Sequence, residues 1–112
     1  MAELFALTDE QREIQQLARN FAQAEIAPHA ADWDRRAHFE PALVAKMAEL
    51  GFLGMLIPEE YDGLGLEALT YLVALEEIAA ADASAAVLLS VHNSLPSQML
   101  LAHGTSEQKD RF

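Results

Sequence analysis

The sequence has no cysteine, and only seven of its 112 residues are lysine or arginine. The absence of cysteine excludes disulfides, thiolate metal sites and a cysteine nucleophile. The seven basic residues face 18 acidic ones, and the net charge is −11. Such a chain has no basic surface for a phosphate backbone and would be repelled by an anionic bilayer. We therefore expect no nucleic-acid partner and no membrane partner.

Segments that would direct the chain into a membrane are also missing from the sequence. Residues 1–4 lack the basic and then apolar run of a signal peptide. The one uncharged stretch of spanning length, residues 83–103, is interrupted by polar residues such as Ser90, His92 and Gln98. We expect a soluble protein of the cytoplasm.

The residues that are abundant favour helices. Alanine (21) and leucine (17) make up about a third of the chain, whereas valine, isoleucine and threonine together number 11. Alanine and leucine lead the helix scale, while β-branched residues lead the strand scale. The length suits one domain, so the composition predicts a single all-α domain over residues 1–112.

Start and stop signals divide the chain into five predicted helices. A capping box of Thr8 and Gln11 opens the first, which Pro28 should kink or end, with a weak continuation to Trp33. Pro41 opens the second and Gly51 ends it. The remaining predictions are a long apolar loop over 51–66, a helix over 67–81, a helix over 83–103 capped by Asp82 or Ser84 and stopped by Gly104, and a fifth helix opened by a capping box of Thr105 and Gln108.

The third and fourth predicted helices are apolar on most of their faces, and the fifth has no stop signal before Phe112. Helices that are hydrophobic all round need partners on every side. We therefore expect an up-and-down helical bundle that is part of a larger protein.

Three patterns that resemble catalytic or binding motifs are better explained by structure. Gly63–Ala68 fits G-x-G-x-x-A, with Asp82 downstream, but no strand precedes it, so loop glycines are the favoured interpretation. No histidine follows a glutamate by three residues, so no carboxylate-bundle metal site is predicted. Glu76 and Glu77 diverge by about 100° on a helix, so we expect a salt bridge or cap contact with a missing partner rather than a paired acid–base site.

The middle of the fourth helix is the most informative segment. Four polar residues interrupt its apolar run at positions 90–94, beside an apolar stripe formed by Val87, Val91 and Leu95. Pro96 frees the carbonyl of His92. Two interpretations stay open: close helix packing with locally satisfied polar groups, or one wall of a ligand pocket.

Several stretches, taken in order, form one recognisable pattern: Leu7-Thr8-Asp9-Glu10-Gln11, Ala27-Pro28, Leu50-Gly51-Phe52-Leu53-Gly54, Ile57-Pro58-Glu59-Glu60-Tyr61-Asp62-Gly63-Leu64-Gly65-Leu66, Glu76-Glu77-Ile78-Ala79, Asp82-Ala83-Ser84, Asn93-Ser94-Leu95 and Gly104-Thr105-Ser106-Glu107-Gln108-Lys109. Through them the chain resembles the N-terminal α-helical domain of the flavin-dependent acyl-CoA dehydrogenases over essentially its whole length, in one register. Asp62 departs slightly from the family pattern, where glycine is common, and Pro96 is unusual there.

The resemblance implies that a β-domain and a C-terminal helical bundle complete the enzyme. It implies that the flavin contacts and the catalytic glutamate lie beyond residue 112, so this segment holds no catalytic, cofactor-binding or metal-binding residue. It further implies FAD as cofactor, acyl-CoA as substrate, a homo-oligomer, and electron-transfer flavoprotein as a candidate partner. The full-length enzyme would remove the α-proton and transfer the β-hydride to FAD, forming a 2,3-enoyl-CoA, whereas the segment alone would be inactive.

The part that the resemblance assigns to this segment is the end of the acyl pocket, at residues Leu88, Val91, His92 and Leu95. The run from Ser90 to Leu95 is similar to that of short-chain members, which implies a short acyl group. An alternative is a stand-alone helical interaction or scaffold module without catalytic activity.

Overall fold

The computed structural model describes residues 5–112, so the predicted lack of a signal peptide, which concerns Met1–Leu4, lies outside the described residues. Within residues 5–112 every regular element is helical and no strand is present, which confirms the all-α prediction. The α-helices are α1 (Asp9–Phe21), α2 (Ala30–Arg35), α3 (Pro41–Glu49), α4 (Ala68–Ala81), α5 (Ala83–Ser94), α6 (Pro96–His103) and α7 (Ser106–Arg111). A π-helical turn (Ala22–Ile26) follows α1, and two 3-10 turns (Phe52–Gly54 and Glu59–Tyr61) lie between α3 and α4.

Hydrogen bonds at the helix N-termini confirm the predicted caps. The Thr8 hydroxyl accepts from the Gln11 amide at 3.1 Å, and the Gln11 side chain accepts from the Thr8 amide at 2.9 Å. The same reciprocal pair forms between Thr105 and Gln108 at the start of α7. Of the two candidate caps for α5, the structure uses Asp82, whose carboxylate accepts from the Ala85 amide at 2.9 Å.

The first helix changes from α-helical to π-helical pairing before it breaks at Pro28, where the sequence predicts the break. The backbone leaves α-helical pairing after Phe21 and forms a π-turn, in which the Ala27 amide donates to the Ala22 carbonyl at 2.8 Å. Because Pro28 has no amide hydrogen to continue the ladder, helical structure restarts only at Ala30, in α2.

The apolar loop packs beneath the helices, as its composition predicts. We refer to it as the 51–66 loop. It starts at Gly51, whose φ of +80° ends α3 in the left-handed region, and it buries Phe52 and Met55 almost completely. Asp62 also lies in the left-handed region, at φ +65°, which gives a physical reason why glycine suits that position.

The prediction of one fourth helix up to His103 is wrong, because the structure divides that segment into α5 and α6. The break lies at Leu95, whose backbone has φ −90° and ψ −76°. Pro96 then begins α6 as its first residue, a position whose amide has no acceptor within its own helix.

The molecule is a flat slab of 44 × 41 × 19 Å. Its radius of gyration is 15.0 Å, against about 13 Å for a compact domain of this length. It exposes 7487 Å², whereas a compact monomer of 12.3 kDa exposes about 6,100 Å². No helix within residues 5–112 combines the length and apolar character needed to cross a membrane.

Candidate functional site

The two faces of α5 differ sharply in what covers them. The inner face buries Leu89 and Asn93, both 0% exposed, against the core. The opposite face carries Val87, Val91 and Leu95, which recur every four residues and which we name the outer stripe. These three side chains are 61%, 44% and 61% exposed, respectively. The described part of the chain therefore leaves an apolar row uncovered.

The structure brings the four predicted pocket residues onto one side of the helix, but into two environments. Their spacing of 0, 3, 4 and 7 residues places Leu88, Val91, His92 and Leu95 on one face. Val91, His92 and Leu95 are exposed there. Leu88 is instead half-buried, packs against the core and lines a groove of about 390 Å³ together with Trp33.

Sequence reasoning left one residue out of the predicted pocket. Val87 lies one turn before Val91 and is as exposed as Leu95. The signal for including it was already in the sequence, since the three residues repeat at i, i+4 and i+8. An apolar ligand lying along the outer stripe would contact Val87 as well.

Two of the polar side chains of this segment, Asn93 and Ser94, are hydrogen-bonded within the chain. The Asn93 amide group donates to the carbonyls of Phe52 (2.9 Å) and Leu89 (3.0 Å), and its oxygen accepts from the Leu56 amide at 3.3 Å. The Ser94 hydroxyl donates to the Ser90 carbonyl at 2.6 Å. These polar groups therefore need no ligand, and the case for a pocket depends on the apolar outer stripe.

The break between α5 and α6 has its own hydrogen bond. In a regular helix the His92 carbonyl would accept from the amide of residue 96, which is a proline. The Ser97 hydroxyl replaces that donor, at 2.6 Å from the His92 oxygen. The bend that ends the outer stripe is therefore fixed by a side chain.

The glutamate pair on α4 is structural, and the prediction that its partner is missing is wrong. The Arg19 guanidinium on α1 donates to both carboxylate oxygens of Glu77, at 2.7 and 3.0 Å. This hydrogen bonding, together with the positive charge, lowers the pKa of Glu77 below its usual 4.5, and the same hydrogen bonding and the Glu77 charge raise the pKa of Arg19 above its ordinary value. Glu76 is exposed, so the two carboxylates do not form one site.

The glycine motif lies in the loop that leads into α4. No strand precedes it in the described chain, and a Cβ at Gly63 would overlap the Ile57 carbonyl. Gly65 has φ +59° and leads into α4. Among residues 5–112 no group of three or more histidine, aspartate or glutamate side chains is arranged to hold a metal ion.

The all-α fold and the outer stripe together describe a type of helical domain that is also found in known proteins. The family model described as "Acyl-CoA dehydrogenase, N-terminal domain" matches residues 8–112. The chain therefore belongs to the acyl-CoA dehydrogenase family.

Individual relatives agree with that assignment. The chain is 46% identical to the mitochondrial short-chain specific acyl-CoA dehydrogenase of Mus musculus over 99 residues, which is 88% of this chain and 24% of that protein. It is 38% identical to the short-chain specific acyl-CoA dehydrogenase of Clostridium acetobutylicum, over 96% of this chain and 28% of the relative. The chain thus spans about a quarter of the length of these curated relatives.

Solved structures share the fold. Butyryl-CoA dehydrogenase from Megasphaera elsdenii superimposes with a TM-score of 0.87 at 33% identity, covering 96% of this chain and 29% of that one. A chain in a structure described as the electron transferring flavoprotein of Acidaminococcus fermentans superimposes with a TM-score of 0.91 at 37% identity. The match covers 96% of this chain and 28% of that one.

Proposed function

We propose that this chain is the N-terminal helical domain of an FAD-dependent dehydrogenase that oxidises a short-chain acyl-CoA to the 2,3-enoyl-CoA. Its own part is to close the far end of the acyl pocket with Val91 and Leu95. The observation that carries the proposal is the outer stripe, an uncovered apolar row on a helix whose other face is fully buried. Relatives named for short-chain and butyryl-CoA substrates support the choice of acyl length.

The excess surface of the slab supports a docked position in a larger enzyme. The chain exposes 7487 Å², which exceeds the roughly 6,100 Å² of a compact monomer by more than the ~800 Å² that one partner buries in a standard interface. Exposed leucines on α4, Leu69 and Leu72, add apolar area to the surface of α5 and α6. In our proposal a β-domain and a C-terminal helical bundle cover these surfaces.

The residues of this chain do not fit a complete FAD site. A flavin dinucleotide needs donors or positive charge at its diphosphate, and residues 47–108 contain no lysine or arginine. The glycine motif follows no strand in the described chain. We therefore place FAD and the catalytic base in the remainder of the enzyme, and we expect the 112-residue segment alone to be inactive.

The partners of the enzyme follow from the same proposal. Its substrate is an acyl-CoA, its oligomer is formed by copies of the complete enzyme, and electron-transfer flavoprotein is the candidate electron acceptor. The cytoplasmic location stays a prediction.

The decisive experiment shortens Leu95 in the complete flavin-loaded enzyme. Leu95→Ala makes room at the pocket end, so the ratio of kcat/KM for hexanoyl-CoA to that for butyryl-CoA should rise about tenfold, the lower value for one methylene in an apolar pocket. The matched control is Leu69→Ala, because Leu69 is 60% exposed on α4 and Leu95 is 61% exposed at the C-terminal end of α5. The control should leave the ratio unchanged.

An unchanged ratio in Leu95→Ala would contradict the pocket assignment. If the protein isolated from its source also had an intact mass of 12.3 kDa, the alternative of a stand-alone helical interaction module would replace the enzyme proposal.

A further inference from the structure

We propose that Asn93 and Ser97 are positioning residues. They hold the outer stripe in a fixed position at the end of the acyl pocket and thereby limit the length of the acyl chain that the pocket accepts. This inference rests on the proposed function, since it concerns how the wall of that pocket is supported. Neither side chain belongs to the outer stripe: Asn93 is fully buried, and Ser97 is 9% exposed.

Asn93 lies directly behind the wall. Two positions along a helix differ by about 200°, so Asn93 faces away from both Val91 and Leu95. Its carboxamide uses both of its hydrogen-bonding atoms: the nitrogen donates to Phe52 and Leu89, and the oxygen accepts from the Leu56 amide. One side chain thus joins α5 to two points of the 51–66 loop.

The loop that receives these bonds is itself fixed by its own backbone. The Leu64 amide donates to the Gly54 carbonyl at 2.9 Å, and the Leu66 amide donates to the Met55 carbonyl at 2.8 Å. Met55 is also 1% exposed, within the core. Asn93 is therefore bonded to a rigid support, so that α5 cannot slide along the loop without breaking buried hydrogen bonds.

Ser97 fixes the other end of the wall. Its hydroxyl donates to the His92 carbonyl, which loses its usual donor because residue 96 is a proline. Leu95 lies at the bend between the two, so the Ser97 bond sets the angle at which its side chain leaves the helix. Asn93 restrains the backbone before the bend and Ser97 restrains it after the bend. The Val91–Leu95 segment therefore has little freedom to move away from a longer ligand.

The test compares three serine variants in the complete flavin-loaded enzyme. Ser97→Ala removes the hydroxyl that fixes the bend, and Ser97→Thr keeps a hydroxyl at the same place. Ser94→Ala is the matched control, since the Ser94 hydroxyl also donates to a helix carbonyl at 2.6 Å but lies on the exposed side. The readout is the ratio of kcat/KM for hexanoyl-CoA to that for butyryl-CoA, together with the unfolding temperature of each variant.

Ser97→Ala should raise that ratio about three- to tenfold, the fold-change that corresponds to one hydrogen bond. Ser97→Thr and Ser94→Ala should leave it unchanged. Asn93→Ser, which retains one donor but cannot reach all three partners, should raise the ratio further if the protein folds. A residue with a merely structural role would lower the unfolding temperature without changing the ratio.

The failures of the two proposals are distinguishable. If Leu95→Ala changes the ratio but Ser97→Ala does not, the positioning role is wrong and the acyl pocket stands. If neither variant changes it, the pocket assignment itself is wrong. Should Asn93→Ser fail to fold, the comparison of Ser97→Ala with Ser97→Thr still decides the question.

Discussion

The interface between α1 and α4 and the outer stripe on α5 differ in one respect: other parts of the chain cover the first helix surface and leave the second exposed. Where α1 meets α4, polar residues are paired across the two helices: Gln11 donates to Thr70 at 3.4 Å, and Arg19 binds Glu77 with two hydrogen bonds. Ala18 and Ala74 are fully buried between them. On the outer stripe, by contrast, the apolar side chains of Val87, Val91 and Leu95 remain 44–61% exposed in the described chain.

The difference shows that hydrophobicity alone does not tell where a helix is covered. Both α4 and α5 are apolar around most of their circumference, yet α4 finds α1 and α5 as partners, while half of α5 stays open. The closed surfaces supply the stability of this domain. The open surface is available for a ligand or another domain.

The largest expected effect is on the free energy of unfolding, when the same substitution, Leu→Ala, is made on the buried and on the exposed face of the α5 and α6 region. Leu89→Ala, at a fully buried position, should lower the free energy of unfolding by about 2–5 kcal/mol, through lost burial and the cavity left behind. Leu95→Ala, at a position 61% exposed, should change it by less than about 0.5 kcal/mol. Urea unfolding of the chain measures both, and equal losses would refute the distinction between the faces.

A smaller effect is expected where the 51–66 loop supports the inner face. Gly63→Ala would place a Cβ on the Ile57 carbonyl, so the loop backbone must shift. We expect a loss of about 1–3 kcal/mol in the free energy of unfolding, typical of overpacking. Gly54→Ala is the control, because its Cβ would meet Gly63 Cα at 3.5 Å, an ordinary contact. Thermal unfolding of both variants decides, and a Gly54→Ala loss as large as that of Gly63→Ala would contradict the steric argument.

The smallest effect belongs to the ion pair between α1 and α4, and it depends on pH. Hydrogen bonding by Arg19 lowers the pKa of Glu77 in the folded chain. A lowered folded-state pKa stabilises the fold above the unfolded-state value of about 4.5, and this contribution disappears as the pH falls through the lower, folded-state value. The stability difference between the native chain and Glu77→Gln should therefore be constant near neutral pH and shrink below pH 4.5.

The control for the ion pair is Glu76→Gln, at the exposed neighbouring position. Its effect should be smaller at neutral pH, because Glu76 does not share the Arg19 bonds. A Glu77→Gln difference that persists unchanged at pH 3 would show that the ion pair is not its source.

Local signals in the sequence predicted the helix starts because each signal lies within a few residues of its effect. Thr8 and Thr105 cap as predicted, since a capping box joins residues only three apart. Pro28 correctly predicted the break, since the helical backbone continues as a π-helical turn to Ile26 and stops at that proline. The break at Leu95 was missed because the fourth helix was extended through Pro96 to the next glycine.

The partners of individual side chains were beyond the sequence because they come from distant parts of the chain. Glu77 meets Arg19 across 58 residues, and Asn93 meets Phe52 across 41. Nothing near Glu77 or Asn93 in the sequence identifies those partners. The prediction therefore left Asn93 without a role and gave Glu77 a missing partner.

The sequence by itself determined the helical class, the capped helix starts and the family, because these depend on composition and on residues close together in the chain. Only the tertiary structure decided which side of each helix is covered, since that depends on contacts between segments far apart in sequence. It separated the buried Leu89 and Asn93 from the exposed Val91 and Leu95 on one short helix. That separation exists because the 51–66 loop and α4 cover only the inner face of α5.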